Sequence, residues 1–217
     1  MNNKNLDNQI QSTITLFSDG LIQEALDLVG QLIRHYPRQS KLYNIEGACY
    51  ASLREFDSAL KSYKKAIRLN PIYAEAYNNI ANTYKEVNQV DKAIKFYKKA
   101  IDLRPTFSEP FNNLGNIYLL ENKLTTAIEN YLNALLINPN YAEAFNNLGI
   151  ALKENSNLKT SIRIFKKIIK KKPDFAEAHY NLGMVYQELR DFKKAVNCYE
   201  KAIFYKANNA EFHYSLG

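Results

Sequence analysis

An all-α solenoid of antiparallel helix pairs is the fold class this sequence predicts, on three observations. Five of its six prolines, Pro37, Pro71, Pro105, Pro139 and Pro173, are spaced at 34 residues. Small and aromatic side chains recur in the same register. Glycine and proline are otherwise scarce, 7 and 6 in 217 residues, while Lys, Asn, Ile, Leu and Ala abound. A fixed period of this length marks stacked helical repeats, and a shortage of turn formers favours helix.

With proline placed at position 32, the units are 6–39, 40–73, 74–107, 108–141, 142–175 and 176–209, and a partial unit follows at 210–217. Together they form a single array over residues 1–217. Position 8 then holds Gly47, Ala81, Gly115, Gly149, Gly183 and Gly217. Position 11 holds Tyr50, Tyr84, Tyr118, Leu152 and Tyr186. Position 20 holds Ala25, Ala59, Ala93, Ala127, Ser161 and Ala195. Position 24 holds Val29, Tyr63, Tyr97, Tyr131, Phe165 and Tyr199, and position 27 holds Ala66, Ala100, Ala134, Ile168 and Ala202.

Each feature has a physical reading. Positions 4, 7, 8 and 11 recur at helical spacing and give the first helix one apolar face. Small residues at 8 and 20 let two helices approach. Asn88, Asn122, Asn155 and Ser156 mark the turn between them. Proline at 32 cannot continue a helix and ends the second one. Unit 6–39 departs from the pattern at Thr13 and Leu32 and reads as an atypical N-terminal cap. Unit 142–175, with Ser161 and Ile168 in place of alanine, is expected to be slightly splayed.

The small–aromatic–small register resembles the tetratricopeptide-repeat (TPR) family over nearly the whole chain. That resemblance implies two antiparallel helices per unit, stacked as a right-handed superhelix with a concave inner face.

At 100° per residue, positions 2, 6, 9 and 13 share a stripe opposite the buried face. Position 6 carries Asn79, Asn113, Asn147 and Asn181, position 9 carries Asn82 and Asn116, and position 5 adds Asn78, Asn112 and Asn146. Amides donate and accept hydrogen bonds, so a row of them can hold a peptide backbone without reading its sequence. The arrangement is similar to the asparagine ladder in the TPR part of O-GlcNAc transferases. Unit 40–73 has Ile45 at position 6, so the ladder is expected to start at Asn79. The glutamates at position 2 (Glu75, Glu109, Glu143, Glu177, Glu211) sit in the first helical turn, where the helix dipole favours them. An acidic, amide-rich face also disfavours the clamping of chaperone C-terminal carboxylates, for which TPR domains use Lys and Arg.

The formal charge of +7 is local. Seven of the 29 Lys and Arg residues (Lys159, Arg163, Lys166, Lys167, Lys170, Lys171 and Lys172) form one acid-free patch, and the rest equal the 22 Asp and Glu in number. Nucleic acid is therefore disfavoured as a partner. Its ordinary reading is a solvated outer face, with contact to an acidic partner as the alternative. His179 and His213, both at position 4, read as core histidines rather than a metal pair. Cys49 and Cys198 are four units apart and read as buried thiols. No apolar run approaches the roughly 20 residues of a membrane span, no signal-peptide pattern opens the chain, and the expected compartment is the cytoplasm. No phosphate loop, paired-cysteine metal motif or nucleophile elbow is present. The chain thus reads as a non-enzyme, without cofactor, metal or small-molecule substrate.

Two functions fit. The first is a protein-interaction scaffold that binds an extended peptide or partner helix in its groove. The second is the N-terminal substrate-recognition part of a larger glycosyltransferase or sulfotransferase. The partial last unit leaves Tyr214 and Leu216 without a covering helix, an end that invites self-association or a further segment.

Overall fold

The computed structural model describes residues 3–214 and divides into two compact units, one ending at Thr106 and one beginning at Phe107. Gly217 and Leu216, used in the register above, lie outside the described residues.

The first unit holds α1 (Asn3–Ser18), α2 (Ile22–His35), α3 (Ser40–Ser52), α4 (Phe56–Leu69), α5 (Ala74–Glu86) and α6 (Val90–Leu103). The second holds α7 (Ser108–Leu120), α8 (Leu124–Ile137), α9 (Ala142–Glu154), α10 (Leu158–Lys171), α11 (Ala176–Glu188), α12 (Phe192–Tyr205) and the short α13 (Ala210–Tyr214). No strand occurs among the described residues, and the protein is an all-α helical repeat.

Each pair turns on one left-handed residue at position 15: Gly20, Arg54, Asn88, Asn122, Ser156 and Arg190, with φ between 56° and 81°. The chain closes there as a Schellman motif. In the third unit Gln89 N donates to Tyr84 O at 2.8 Å, and Asn88 N donates to Lys85 O at 3.0 Å. Asn155, named with the turn formers, instead ends α9 with negative φ. Between units, Asn70 and Asn138 fold their amide oxygens onto Ile72 N and Asn140 N around the proline, the Asx turn that Asn favours.

The core lies between the helices of each pair. A Cβ built on Gly47, Gly115, Gly149 or Gly183 would stand 2.5–2.6 Å from the ring at position 24 of its own unit. Position 8 thus takes only a small residue, glycine in these four units and Ala81 in unit 74–107. Unit 142–175 keeps this contact, although α9 and α10 touch less extensively than the helix pairs of units 40–73, 74–107, 108–141 and 176–209, as its larger side chains predict. Its Gly149 lies as close to Phe165 as Gly115 does to Tyr131. Ser161 is fully buried, and its hydroxyl donates to Gly149 O at 2.7 Å. That bond satisfies the polar atom alanine would have lacked. Thr13 is likewise buried and satisfied by Gln9 O at 2.8 Å.

The two histidines part company. His179 is buried, and its Nε2 bonds Pro173 O at 2.8 Å. His213 makes the same bond to Ala207 O at 2.8 Å but is exposed on the short α13, so only His179 is a core histidine. Tyr43 and Tyr77 make the equivalent bond to Pro37 O and Pro71 O. Where position 4 is Tyr or His it therefore links the first helix to a carbonyl at the end of the unit before it; Phe111 and Phe145 lack the polar atom.

Candidate functional site

The asparagines of the first helices are not a row of independent amides. Asn79 Nδ2 donates to Asn44 Oδ1 at 3.1 Å, Asn147 Nδ2 to Asn112 Oδ1 at 3.1 Å, and Asn181 Nδ2 to Asn146 Oδ1 at 2.9 Å. Position 6 of one unit thus donates to position 5 of the unit before it. Of the position-5 asparagines, Asn112 is 0%, Asn78 7% and Asn146 8% exposed, while Asn44 is half-buried. The shoulder asparagines therefore lie inside the packing rather than along the stripe. One residue of helical advance turns them about 100° toward the neighbouring helix. Asn112 is held on its other side, where Nδ2 donates to Glu143 Oε1 at 3.1 Å. Asn78 Oδ1 is buried without a hydrogen-bond partner among the described residues.

Asn44 was missed by the sequence reading because Ile45 occupies position 6 of its unit. The available signal was its spacing of 35 residues from Asn79, the same as Asn112 to Asn147 and Asn146 to Asn181.

Position 9 is bound within its own unit. Tyr97 OH donates to Asn82 Oδ1 at 2.5 Å, and Tyr131 OH donates to Asn116 Oδ1 at 2.8 Å. Asn116 Oδ1 also accepts from Asn147 Nδ2 at 2.9 Å. Where position 9 is Ile150, position 24 is Phe165, without a hydroxyl. Where it is Met184, Tyr199 OH turns to Gln187 Oε1 at 2.5 Å. Burial raises the Tyr97 and Tyr131 phenols well above the ordinary value, so both remain donors at physiological pH.

These bonds orient the site. The amide nitrogens of Asn79, Asn147 and Asn181, all half-buried, are spent on the protein. Their Oδ1 atoms make no hydrogen bond within the described residues and stand as acceptors. Asn113 is half-buried at the same position. Beside them on the second unit's stripe are apolar side chains: Leu120, 87% exposed, and the half-buried Ile150 and Met184.

The position-2 glutamates are partly committed. Glu75 pairs with Arg104 at 2.6 Å and Glu177 with Lys206 at 2.8 Å, each across its own unit. Burial alone would lift the Glu177 carboxyl, but Lys206 outweighs it and holds it below the usual value. Both pairs are substantially exposed and contribute little to stability. No three His, Cys, Asp or Glu side chains converge as a metal site among the described residues. No described helix is long and apolar enough to cross a membrane.

Models of known families agree with this geometry. One described as TPR repeat matches residues 47–88 and 115–156. Two described as tetratricopeptide repeat match 74–107 and 176–209, and 96–129. Among solved structures, the chain is similar to MamA, with 26% identity over 76% of this chain and 96% of that one, at TM-score 0.66. It is also similar to YrrB, a TPR protein with an unusual peptide-binding site: 23% identity, 86% and 96% coverage, TM-score 0.66. PilF of Pseudomonas aeruginosa shares the fold at 17% identity, 96% and 95% coverage and TM-score 0.82. A comparison with curated protein sequences gives no match.

Proposed function

Because the chain belongs to the tetratricopeptide-repeat family, we propose that it is a protein-interaction scaffold whose first helices hold an extended peptide or a partner helix. The observation that carries this reading is the fixed polarity of the position-6 asparagines. Each bond to the preceding unit immobilises an amide and leaves its oxygen as an acceptor. An oriented acceptor costs less entropy to use than a free one. An extended peptide offers backbone N–H donors along its length, which Asn147 and Asn181 of the second compact unit would accept. Leu120, Ile150 and Met184 would take its apolar side chains. The same fold carries a peptide-binding site in YrrB, which is consistent with this use.

The test is to select binding peptides from a phage-displayed library on the intact chain, then measure Kd by fluorescence anisotropy. Asn147→Ala and Asn181→Ala should each weaken binding about tenfold, the value of one lost hydrogen bond in a desolvated site. The exposed Asn133→Ala on α8 is the control. Circular dichroism confirms that each variant is folded at the assay temperature. Unchanged affinity in both ladder variants would refute the reading.

A further inference from the structure

We infer that α10 and the groove beside it form a second docking surface, separate from the asparagine stripe, for an acidic amphipathic helix of a partner protein. The first observation is electrostatic. Lys159, Arg163, Lys166, Lys167, Lys170, Lys171 and Lys172 are all exposed, and none is ion-paired with a carboxylate among the described residues. The helix itself supplies no counter-charge, since Leu158–Lys171 contains no Asp or Glu. On α10 the charge is left for a partner.

The second observation is that three of these lysines are held. Lys167 and Lys171 lie 5.0 and 5.5 Å from the centre of the Phe145 ring, and Lys172 lies 5.2 Å from that of Phe175. Lys171 Nζ also donates to Pro139 O at 2.7 Å and Asn140 Oδ1 at 2.9 Å. Cations resting on aromatic faces have lost part of their rotamer freedom before any partner arrives.

The third observation selects the partner. Lys167 stands on the rim of a groove of about 430 Å³ between α8, α9 and α10, lined by Leu132, Leu136, Pro139, Phe145 and Ile164. Leu132 and Leu136 are 51% and 81% exposed. A cationic rim along an apolar trough is complementary to a helix with Leu or Phe on one face and Asp or Glu beside them. Nucleic acid fits less well. Its phosphates would meet the lysines, but the leucines would face a polar backbone. The Phe145 and Phe175 rings are already covered by lysine, so they offer bases no stacking platform.

The probe is a fluorescein-labelled helical peptide with Leu at every third and fourth position and Glu between, titrated with the full chain and read by anisotropy. Saturable binding is expected. It should fall about tenfold or more in the Lys167→Glu, Lys170→Glu, Lys171→Glu variant, the sum of three exposed pairs. It should fall similarly in Leu132→Ser, Leu136→Ser, and weaken as salt rises. Circular dichroism checks that each variant is folded at the assay temperature. Asn147→Ala should leave the affinity unchanged, which separates this surface from the stripe. Equal loss in Asn147→Ala would overturn the assignment. So would equal binding of a peptide with Ser in place of Leu. Tighter binding of a fluorescein-labelled oligothymidylate, lost on charge reversal but kept in the leucine variant, would give the surface to nucleic acid instead.

Discussion

The Tyr131 hydroxyl donates to Asn116 Oδ1 at 2.8 Å, joining the two helices of one unit through the atom that also accepts from Asn147 of the next. Tyr97 and Asn82 repeat the bond, and Ile150 with Phe165 replaces both partners together. A polar pair exchanged as a pair leaves nothing unsatisfied. Tyr131→Phe should therefore cost about 1 kcal/mol, because Asn116 keeps its other donor. Asn116→Ile should cost about 2–3 kcal/mol, because it strands the buried phenol and takes one of the two acceptors of the Asn147 amide. The double variant should be less destabilised than the two added, with a coupling of about 1 kcal/mol in urea unfolding. Strict additivity would show that the bond is incidental.

Gly115 meets the Tyr131 ring so closely that an added Cβ would lie 2.5 Å from it. Unit 74–107 nevertheless places Ala81 opposite Tyr97, both fully buried, so a methyl fits once the ring moves. Gly115→Ala should stay within about 1 kcal/mol of the parent, the clash offset by helix propensity. Gly115→Val adds branches that cannot follow the ring and should cost about 2–3 kcal/mol. Denaturant midpoints separate the two. Equal midpoints would mean the pair is looser than its geometry shows.

The repeat was legible because its causes are local. Proline, glycine and aromatic side chains each recur where one helix pair demands them, and the period exposes that demand. The polarity of the asparagines was not legible. Whether Asn147 offers a donor or an acceptor depends on Asn112, 35 residues away and in another unit. The register showed both residues but not which atom each spends. Arg54 and Arg190 hid the left-handed turns that Asn88 and Asn122 advertised, since packing overrode their preference. His213 shares a register position with His179 and makes the same carbonyl bond, yet it is exposed on α13.

Arg190 adopts φ 59°, where an L side chain costs roughly 1–2 kcal/mol. Arg190→Gly should stabilise by about 0.5–1 kcal/mol after glycine's larger unfolded-state entropy is subtracted. Arg54→Gly should gain less. It forfeits the guanidinium lying 5.6 Å over the Phe56 ring. Thermal melts should rank Arg190→Gly above Arg54→Gly, and the reverse order would sink the argument.

Cys49 is fully buried, and burial with Glu46 beside it pushes its thiol up to about 11. Burial also raises Cys198, but Lys201 and Lys166 oppose the shift, and the side chain is slightly exposed. The thiolate is the reactive form. Iodoacetamide should therefore modify Cys198 well before Cys49 in the folded chain, and both together in urea. Intact mass over time reads this directly, and faster labelling of Cys49 would contradict the packing of the first unit.

Asp191 caps α12 with its side chain, accepting from Lys194 N at 3.3 Å while also pairing with the Lys194 ammonium. The Lys194 hydrogen bond holds its carboxyl below the ordinary value of 3.8. A carboxyl whose folded value is depressed stabilises the fold above its unfolded value, and that stabilisation is lost as pH falls through the folded value. Asp191→Asn keeps an acceptor for the cap but removes the charge. The variant should melt below the parent near neutrality, and the gap should close as pH falls below the ordinary value of 3.8. Lys194 is raised by the same contact, so the gap should close again above its ordinary value of 10.5. Both side chains are solvent-exposed, so added salt should narrow the gap at every pH between these limits. A gap that persists unchanged into acid would show that the cap is carried by shape alone and that the charge of Asp191 contributes nothing to holding α12.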